Sequence, residues 1–265
     1  MIYKGQIPLL EQPKLGSKNI ERIFRGSELV YGNPVTIIGY GTPPSQDASC
    51  IIHWDFGNPA SYPGSGTTVT DLKGFRNGTL TGAGYTYDSS VVKGVLQSSN
   101  KSSNIDIASL GATAYTGGTF EYLFKTYTTL TNDNVLMSWL PSPTIGEINI
   151  QQFASTPPKR IYFGVDGQLT GRSTTFGKTF GSSEWFHVVG TFGQNIPLTV
   201  YINGVSVVAS ANYSVSETFV WDTAGDIYGG GGGCIIAQFA VWRMYSVPLT
   251  AAEVLANYNF FDTIV

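Results

Sequence analysis

The chain has 265 residues, a net charge of −3, 42% hydrophobic residues and only 12% charged ones. The charged share is about half the roughly 25% of an ordinary soluble domain, and strand-forming Tyr, Phe, Trp, Thr and Val fill the gap together with Gly. No basic stripe is present to follow a phosphate backbone, which argues against a nucleic-acid partner, and no apolar run approaches the roughly 20 residues of a membrane-crossing helix, which argues against a membrane.

In chain order, residues 1–33 come first and carry denser charge than the rest. Pro8 and Pro13 prevent a long helix there. In NIERIF, Ile20, Arg22 and Phe24 alternate with Glu21, Ile23 and Arg25, and ELVY follows. The pattern predicts two short strands around a tight turn at Arg25-Gly26-Ser27. Such a hairpin is too small to be stable alone. It therefore reads either as an anchor offering Ile20, Ile23, Phe24, Leu29, Val30 and Tyr31 to a partner, or as a strand pair packed on the main domain. Residues 34–47 follow as a linker, broken by Gly39-Tyr40-Gly41 and Pro43-Pro44.

From residue 48 onward, short apolar runs recur between turn residues. They are CIIHWDF, TFEYLFKTYT, NVLMSWL, EINIQQF, RIYFGV, WFHVVGTF, LTVYINGVSVVA and IIAQFAVWRMY. Many short strands without alternating helices predict an all-β sandwich or barrel and exclude a doubly wound fold. Cys50 and Cys234 each begin such a run; if the two strands pair antiparallel, the thiols lie at opposite ends and cannot bridge. Both are read as buried thiols. The run Gly229–Gly233 precedes CIIAQFAVW, a strand rather than a helix, so it is no phosphate cradle. It fits a loop or strand start that demands glycine backbone. Near the end, Thr250-Ala251-Ala252-Glu253 forms a capping box. Val254, Leu255 and Tyr258 extend the helix for about two turns.

From about residue 50 these motifs resemble the laminin-G-like, or concanavalin A-like, jelly-roll superfamily. The resemblance rests on HWDFGNPASYPGSGTTVTDLKGFRNGTL, TFEYLFK, WFHVVGTF, LTVYINGVSVVAS and IYGGGGGCIIAQFAVWRMYSVPLTAAEV, found in that order over about four fifths of the chain. It implies a concanavalin A-like β-sandwich jelly roll over residues 48–265, with a short C-terminal helix, preceded by the small N-terminal hairpin. NIERIFRGSELVYGN also resembles a short element of tailed-phage structural proteins, which precedes exposed virion domains.

Hydrolases on this fold place paired acids as Glu-x-Asp-x-x-Glu on one strand, because glycoside hydrolysis needs two carboxylates across the sugar. Here Glu121, Glu147 and Glu184 stand singly, so an enzyme is not expected. His187 and His53 lie in apolar strands and read as packed, hydrogen-bonded core residues. Without a third partner they support neither a zinc site nor a catalytic triad. No cofactor is expected. Laminin-G-like domains hold calcium at a loop edge, for which Asp55, Asn58, Asp71, Asp88 and Asp166 supply oxygens. Turn capping is the preferred reading of each. Trp54, Trp139, Trp185 and Trp242 sit in strands and belong to the core. Trp221 with Asp222, and Tyr85, Tyr87 and Tyr213, fall in polar, Gly/Ser-rich segments and are the candidates for a sugar platform.

The expectation is a structural protein of a tailed-phage particle, in capsid, tail or fibre. It would be attached to other virion proteins by residues 1–33, be present in several copies, and display a lectin-like domain toward host-surface glycans. MIYKGQIPLLEQPK shows no apolar core of signal-peptide length, and release of the particle by lysis fits. The alternatives are a glycan-degrading enzyme on the same fold and a bacterial surface adhesin.

Overall fold

The structure is a computed structural model. It describes residues 14–15, 18–19, 23–25, 28–31, 48–81, 85–88, 94–98, 104–107, 114–126, 134–139, 148–153, 160–164, 173–175, 185–193, 195–214, 219–220, 225–228 and 237–262. The chain divides into two compact units, Met1–Ile37 and Ile38–Val265. The first holds β1 (Lys14–Leu15) paired antiparallel with β2 (Lys18–Asn19), and β3 (Ile23–Arg25) paired antiparallel with β4 (Glu28–Tyr31). The alternation in IERIF and ELVY thus becomes a hairpin, with Phe24 opposite Leu29 and Arg25 opposite Glu28.

The second unit begins with β5 (Cys50–Asp55), β6 (Thr68–Val69), β7 (Gly78–Thr81), β8 (Tyr85–Asp88), β9 (Val95–Ser98) and β10 (Asn104–Ile107). It continues through β11 (Ala114–Tyr115), β12 (Gly117–Thr126), β13 (Asn134–Trp139), β14 (Ile148–Phe153), β15 (Arg160–Gly164) and β16 (Ser173–Thr175). The last strands are β17 (Trp185–Gly193), β18 (Ile196–Ile202), β19 (Val205–Ser214), β20 (Phe219–Val220), β21 (Gly225–Tyr228) and β22 (Ala237–Tyr245), followed by helix α1 (Ala251–Asp262).

Two antiparallel sheets make the sandwich. One runs β19-β18-β17-β12-β22-β9-β8, with β5 also on β22; the other runs β16-β15-β14-β13-β21-β10-β7-β6. The first sheet contributes Trp54, Phe120, Tyr122, Phe124, Phe186, Val188 and Trp242 to the main core, and the second contributes Val69, Leu80 and Ile105. Trp54 and Trp242 pack with their rings tilted by 33°, 4.7 Å between centroids. Gly78 faces this pair, and a Cβ there would meet Trp54 and Ile105 at under 3 Å, so the strand needs glycine at that point.

The apolar runs from Cys50 onward correspond to strands, and β5 and β22 pair antiparallel with Cys50 opposite Tyr245. The Cys50 thiol is buried and donates to Ile52 O at 3.3 Å. Cys234 and the run Gly229–Gly233 lie outside the described residues, as does the linker 34–47. The Tyr-x-Asn-Gly motif forms the β18–β19 hairpin. Asn203 and Gly204 have φ of +51° and +74°, the pair of left-handed residues that a type I′ turn requires.

Helix α1 opens on the expected box: Glu253 N donates to Thr250 Oγ1 at 3.3 Å and Thr250 N donates to Glu253 Oε2 at 2.7 Å. The helix is 12 residues long, a turn more than its apolar spacing suggests. Its inner face is Val254, Asn257 and Phe261, whereas Leu255 is 45% exposed. A polar residue at a core-facing position breaks the apolar periodicity there. No helix among the described residues is long and apolar enough to cross a membrane.

Candidate functional site

Side chains alternate along β12. Phe120, Tyr122 and Phe124 point between the sheets, while Thr119, Glu121 and Leu123 point to the opposite face. Antiparallel pairing decides what surrounds Glu121. Arg243 is directly opposite on β22, Tyr245 is opposite Thr119, and His187 on β17 is opposite Leu123. All three are therefore same-face neighbours of Glu121. Helix α1 covers this face. Val254 and Leu249 pack with Tyr245, Val189 and Tyr201, and Phe261 packs with Leu123, Val241 and Ala240.

Four side chains converge on the Glu121 carboxylate. His187 Nε2 lies 2.7 Å from Oε1, and Asn257 Nδ2 donates to the same oxygen at 2.8 Å. Tyr245 OH donates to Oε2 at 2.6 Å and Arg243 Nη1 at 3.2 Å. Asn257 Nδ2 also reaches Tyr245 OH at 3.3 Å. The Arg243 guanidinium stacks on the Phe261 ring at 4.8 Å, and the His187 ring lies 5.2 Å from the same ring. On the other side, His187 N donates to Asn203 Oδ1 at 3.0 Å, which ties the site to the β18–β19 turn.

Glu121, His187, Arg243 and Asn257 are all buried. Burial pushes the Glu121 carboxyl up, but the Arg243 charge and the bonds from His187 and Tyr245 outweigh it and hold it at about 2. Burial alone would lower Arg243, yet Tyr245 and Glu121 carry it above its ordinary value. The Tyr245 phenol is pushed well up, by burial and then by Glu121. A carboxylate held by charged and neutral donors in the dry interior is a stable anion. It is poorly suited to exchange a proton with a substrate, and it fastens the helix to the sheet.

Among the described residues, none of those that sequence patterning offers for sugar and metal joins this cluster. Tyr87, on β8, is half-buried, its ring 5.8 Å edge-on from Tyr62 and seated against Gly64 and Gly94. Burial and Asp55 raise its phenol. Tyr85 on β8 and Tyr213 on β19 have backbone positions but no described side chains; Trp221 and Asp222 lie outside the described residues. Ile23, Phe24, Leu29, Val30 and Tyr31 occupy β3 and β4, and Ile20 lies outside the described residues. Trp54 and Trp242 are core, Trp185 is half-buried, and the side chain of Trp139 is outside the described residues.

Three of the oxygen-bearing candidates cap turns. Asp55 Oδ1 accepts from Gly57 N, Asn58 Oδ1 from Ala60 N, and Asp71 from several backbone amides. Asp88 Oδ2 accepts from Gln238 across the sheet. Asp166, Glu147 and Glu184 lie outside the described residues, and among the described residues no group of three or more His, Cys, Asp or Glu could hold a metal ion.

Arg243, Tyr245 and Asn257 do not stand out in the sequence. The available signal is Glu121, His187 and Arg243, each interrupting an apolar strand in TFEYLFK, WFHVV and AVWRMY, at positions that share one face.

Residues 98–255, more than half the chain, match the family described as the concanavalin A-like lectin/glucanases superfamily, Laminin_G_3. The chain belongs to this superfamily. No curated protein matches its sequence. Its fold is similar to domain 4 of a GH43 extracellular arabinanase from Geobacillus stearothermophilus, in complex with arabinotriose. There the TM-score is 0.59 at 16% identity, covering 79% of this chain and 98% of that one. It is also similar to Trypanosoma rangeli sialidase in complex with sialic acid, with a TM-score of 0.60 at 13% identity, covering 86% of this chain and 36% of that one. The binding domain of botulinum neurotoxin serotype D/C gives 0.56 at 11% identity, covering 80% and 52%. At these identities the likeness is one of fold.

Proposed function

We propose that this chain is a non-catalytic display protein of a tailed-phage particle. Its first unit joins other virion proteins and its superfamily sandwich meets host-surface glycans. The observation that carries the non-catalytic part is the state of Glu121. A glycosidase acid must reach a sugar and change protonation, whereas Glu121 is sealed under α1 and accepts from His187, Arg243, Tyr245 and Asn257. Supporting the glycan part are the lectin/glucanase family and the bound arabinotriose and sialic acid in the structures of two relatives in fold. Supporting an attachment role is the division into a small strand-paired unit, Met1–Ile37, and a large one, Ile38–Val265.

The attachment reading has a direct test. Deleting residues 1–33 should leave a folded sandwich, judged by a cooperative thermal transition, that no longer enters particles. An antibody against residues 48–265 should label intact particles carrying the full chain. Incorporation of the truncated protein would overturn the anchor, and unlabelled particles would overturn display.

A further inference from the structure

We propose that an uncharged row of residues across the outer face of the sheet β16-β15-β14-β13-β21-β10-β7-β6 forms a binding track for a linear, neutral oligosaccharide. This rests on the glycan-binding reading above and gives it a place and a ligand class. Antiparallel register builds the row. Thr81 on β7 is opposite Asn104 on β10, Asn104 is opposite Tyr228 on β21, and Tyr228 is opposite Ser138 on β13. Ser138 is in turn opposite Asn149 on β14, which is opposite Gly164 on β15. Directly opposed residues share a sheet face, so these six stand side by side. Neighbouring strands lie about 4.8 Å apart, so the row is about 24 Å long.

The core fixes which face this is. Leu80 and Ile105, the chain neighbours of Thr81 and Asn104, are buried between the sheets. Alternation along each strand then places Thr81 and Asn104 on the outer face, and the shared register carries the other residues of the row with them. This face meets solvent at β7 and β10, where Thr79 is exposed and Thr81 and Asp106 are half-buried. The outer face of the other sheet differs, since α1 covers it around Glu121.

Residue type selects the class. The row reads Thr, Asn, Tyr, Ser, Asn, Gly. Amides and hydroxyls both donate and accept, which suits the hydroxyl groups of a sugar, and a tyrosine ring is a platform for its C–H groups. Other partners fit worse. A nucleic acid or a carboxylated sugar calls for cations, and none stands in the row. A protein partner calls for an apolar patch centre, and the row holds no Leu, Ile, Val, Met or Phe. Among the described residues of this sheet, the charged ones belong to other rows. Asp106 is opposite Asp226, and Arg160 is opposite Phe153. Tyr228 is the residue through which β21 pairs with β13, so the one ring of the row sits where the halves of the sheet join. Paired strands hold such a set at fixed spacing, which favours a precise site.

The test is calorimetric titration of the full chain with linear hexasaccharides of glucose, mannose and galactose, with their monosaccharides, and with hexagalacturonate. At least one neutral hexasaccharide should bind, at least about tenfold more tightly than its monosaccharide and than hexagalacturonate. Tyr228→Ala should weaken it about tenfold or more, as loss of a central anchor does. Asn104→Ala and Asn149→Ala, on either side of Tyr228, should each weaken it too without moving the thermal midpoint appreciably, and they decide the outcome if Tyr228→Ala does not fold. Leu255→Ala on α1 should leave affinity unchanged. Undiminished hexasaccharide binding by both Asn variants, or equal binding of the monosaccharide or of hexagalacturonate, would overturn the track and leave glycan binding standing. If no hexasaccharide binds, the track falls. If a broad glycan panel also fails to retain the chain, the glycan reading falls with it.

Discussion

The Glu121 carboxylate accepts from side chains on β17, β22 and α1, so a change at this one residue reaches three elements. Glu121→Gln keeps the shape but leaves the Arg243 guanidinium buried without its counter-charge. Breaking a buried pair in this way costs about 3–5 kcal/mol. Urea unfolding should show that loss, and a change below about 1 kcal/mol would mean the cluster is wet or relaxed.

The same group sets a pH dependence. Its folded value, about 2, lies below its ordinary 4.5, so its stabilisation is complete above about pH 5 and is lost as pH falls toward about 2. At about 1.4 kcal/mol per unit the contribution is on the order of 3 kcal/mol. Stability measured from about pH 6 down to 2 should therefore fall in the natural protein and fall less steeply in Glu121→Gln. Parallel curves would place the acid sensitivity elsewhere.

The sequence marks Glu121 and His187 as isolated polar residues within apolar strands. Their meeting stays hidden because the partners of Glu121 lie 66, 122, 124 and 136 residues away along the chain. Strand register joins three of them, and the docking of α1 brings in Asn257.

At the scale of elements, α1 rests on the sheet through one mixed face. Val254 and Phe261 bury apolar surface, and between them Asn257 donates to Glu121 and Tyr245. Asn257→Ala removes the donor and leaves the carboxylate short of one bond, a loss of about 1–3 kcal/mol. Hydrogen exchange should quicken in residues 254–262 more than in β12. Uniform acceleration would show that the helix and sheet open only together.

The helix start was legible, because a capping box is a local pattern. Its inner face was less so, because Asn257 occupies a position where apolar periodicity expects a hydrophobe. The long strands were legible for a similar reason, since CIIHWDF, TFEYLFKTYT and IIAQFAVWRMY are apolar runs with clean turn signals. The short strands β6, β7 and β10 carry Thr, Gly, Asn or Asp at half or more of their positions. They owe their extended form to pairing rather than to composition.

At the scale of the whole molecule, the chain divides into a small unit and a larger superfamily sandwich, and the proposed division of labour gives attachment to the first and recognition to the second. The sandwich carries its ionisable cluster under α1, where it locks the helix. Recognition without turnover is the account's central claim. Its most direct test incubates the full chain with an immobilised panel of acidic and neutral glycans, reading retention and release of reducing sugar in the same wells. The account predicts retention on at least one glycan of the panel with no reducing sugar released above the buffer control. Steady release of reducing sugar, or no retention on any glycan, would contradict it.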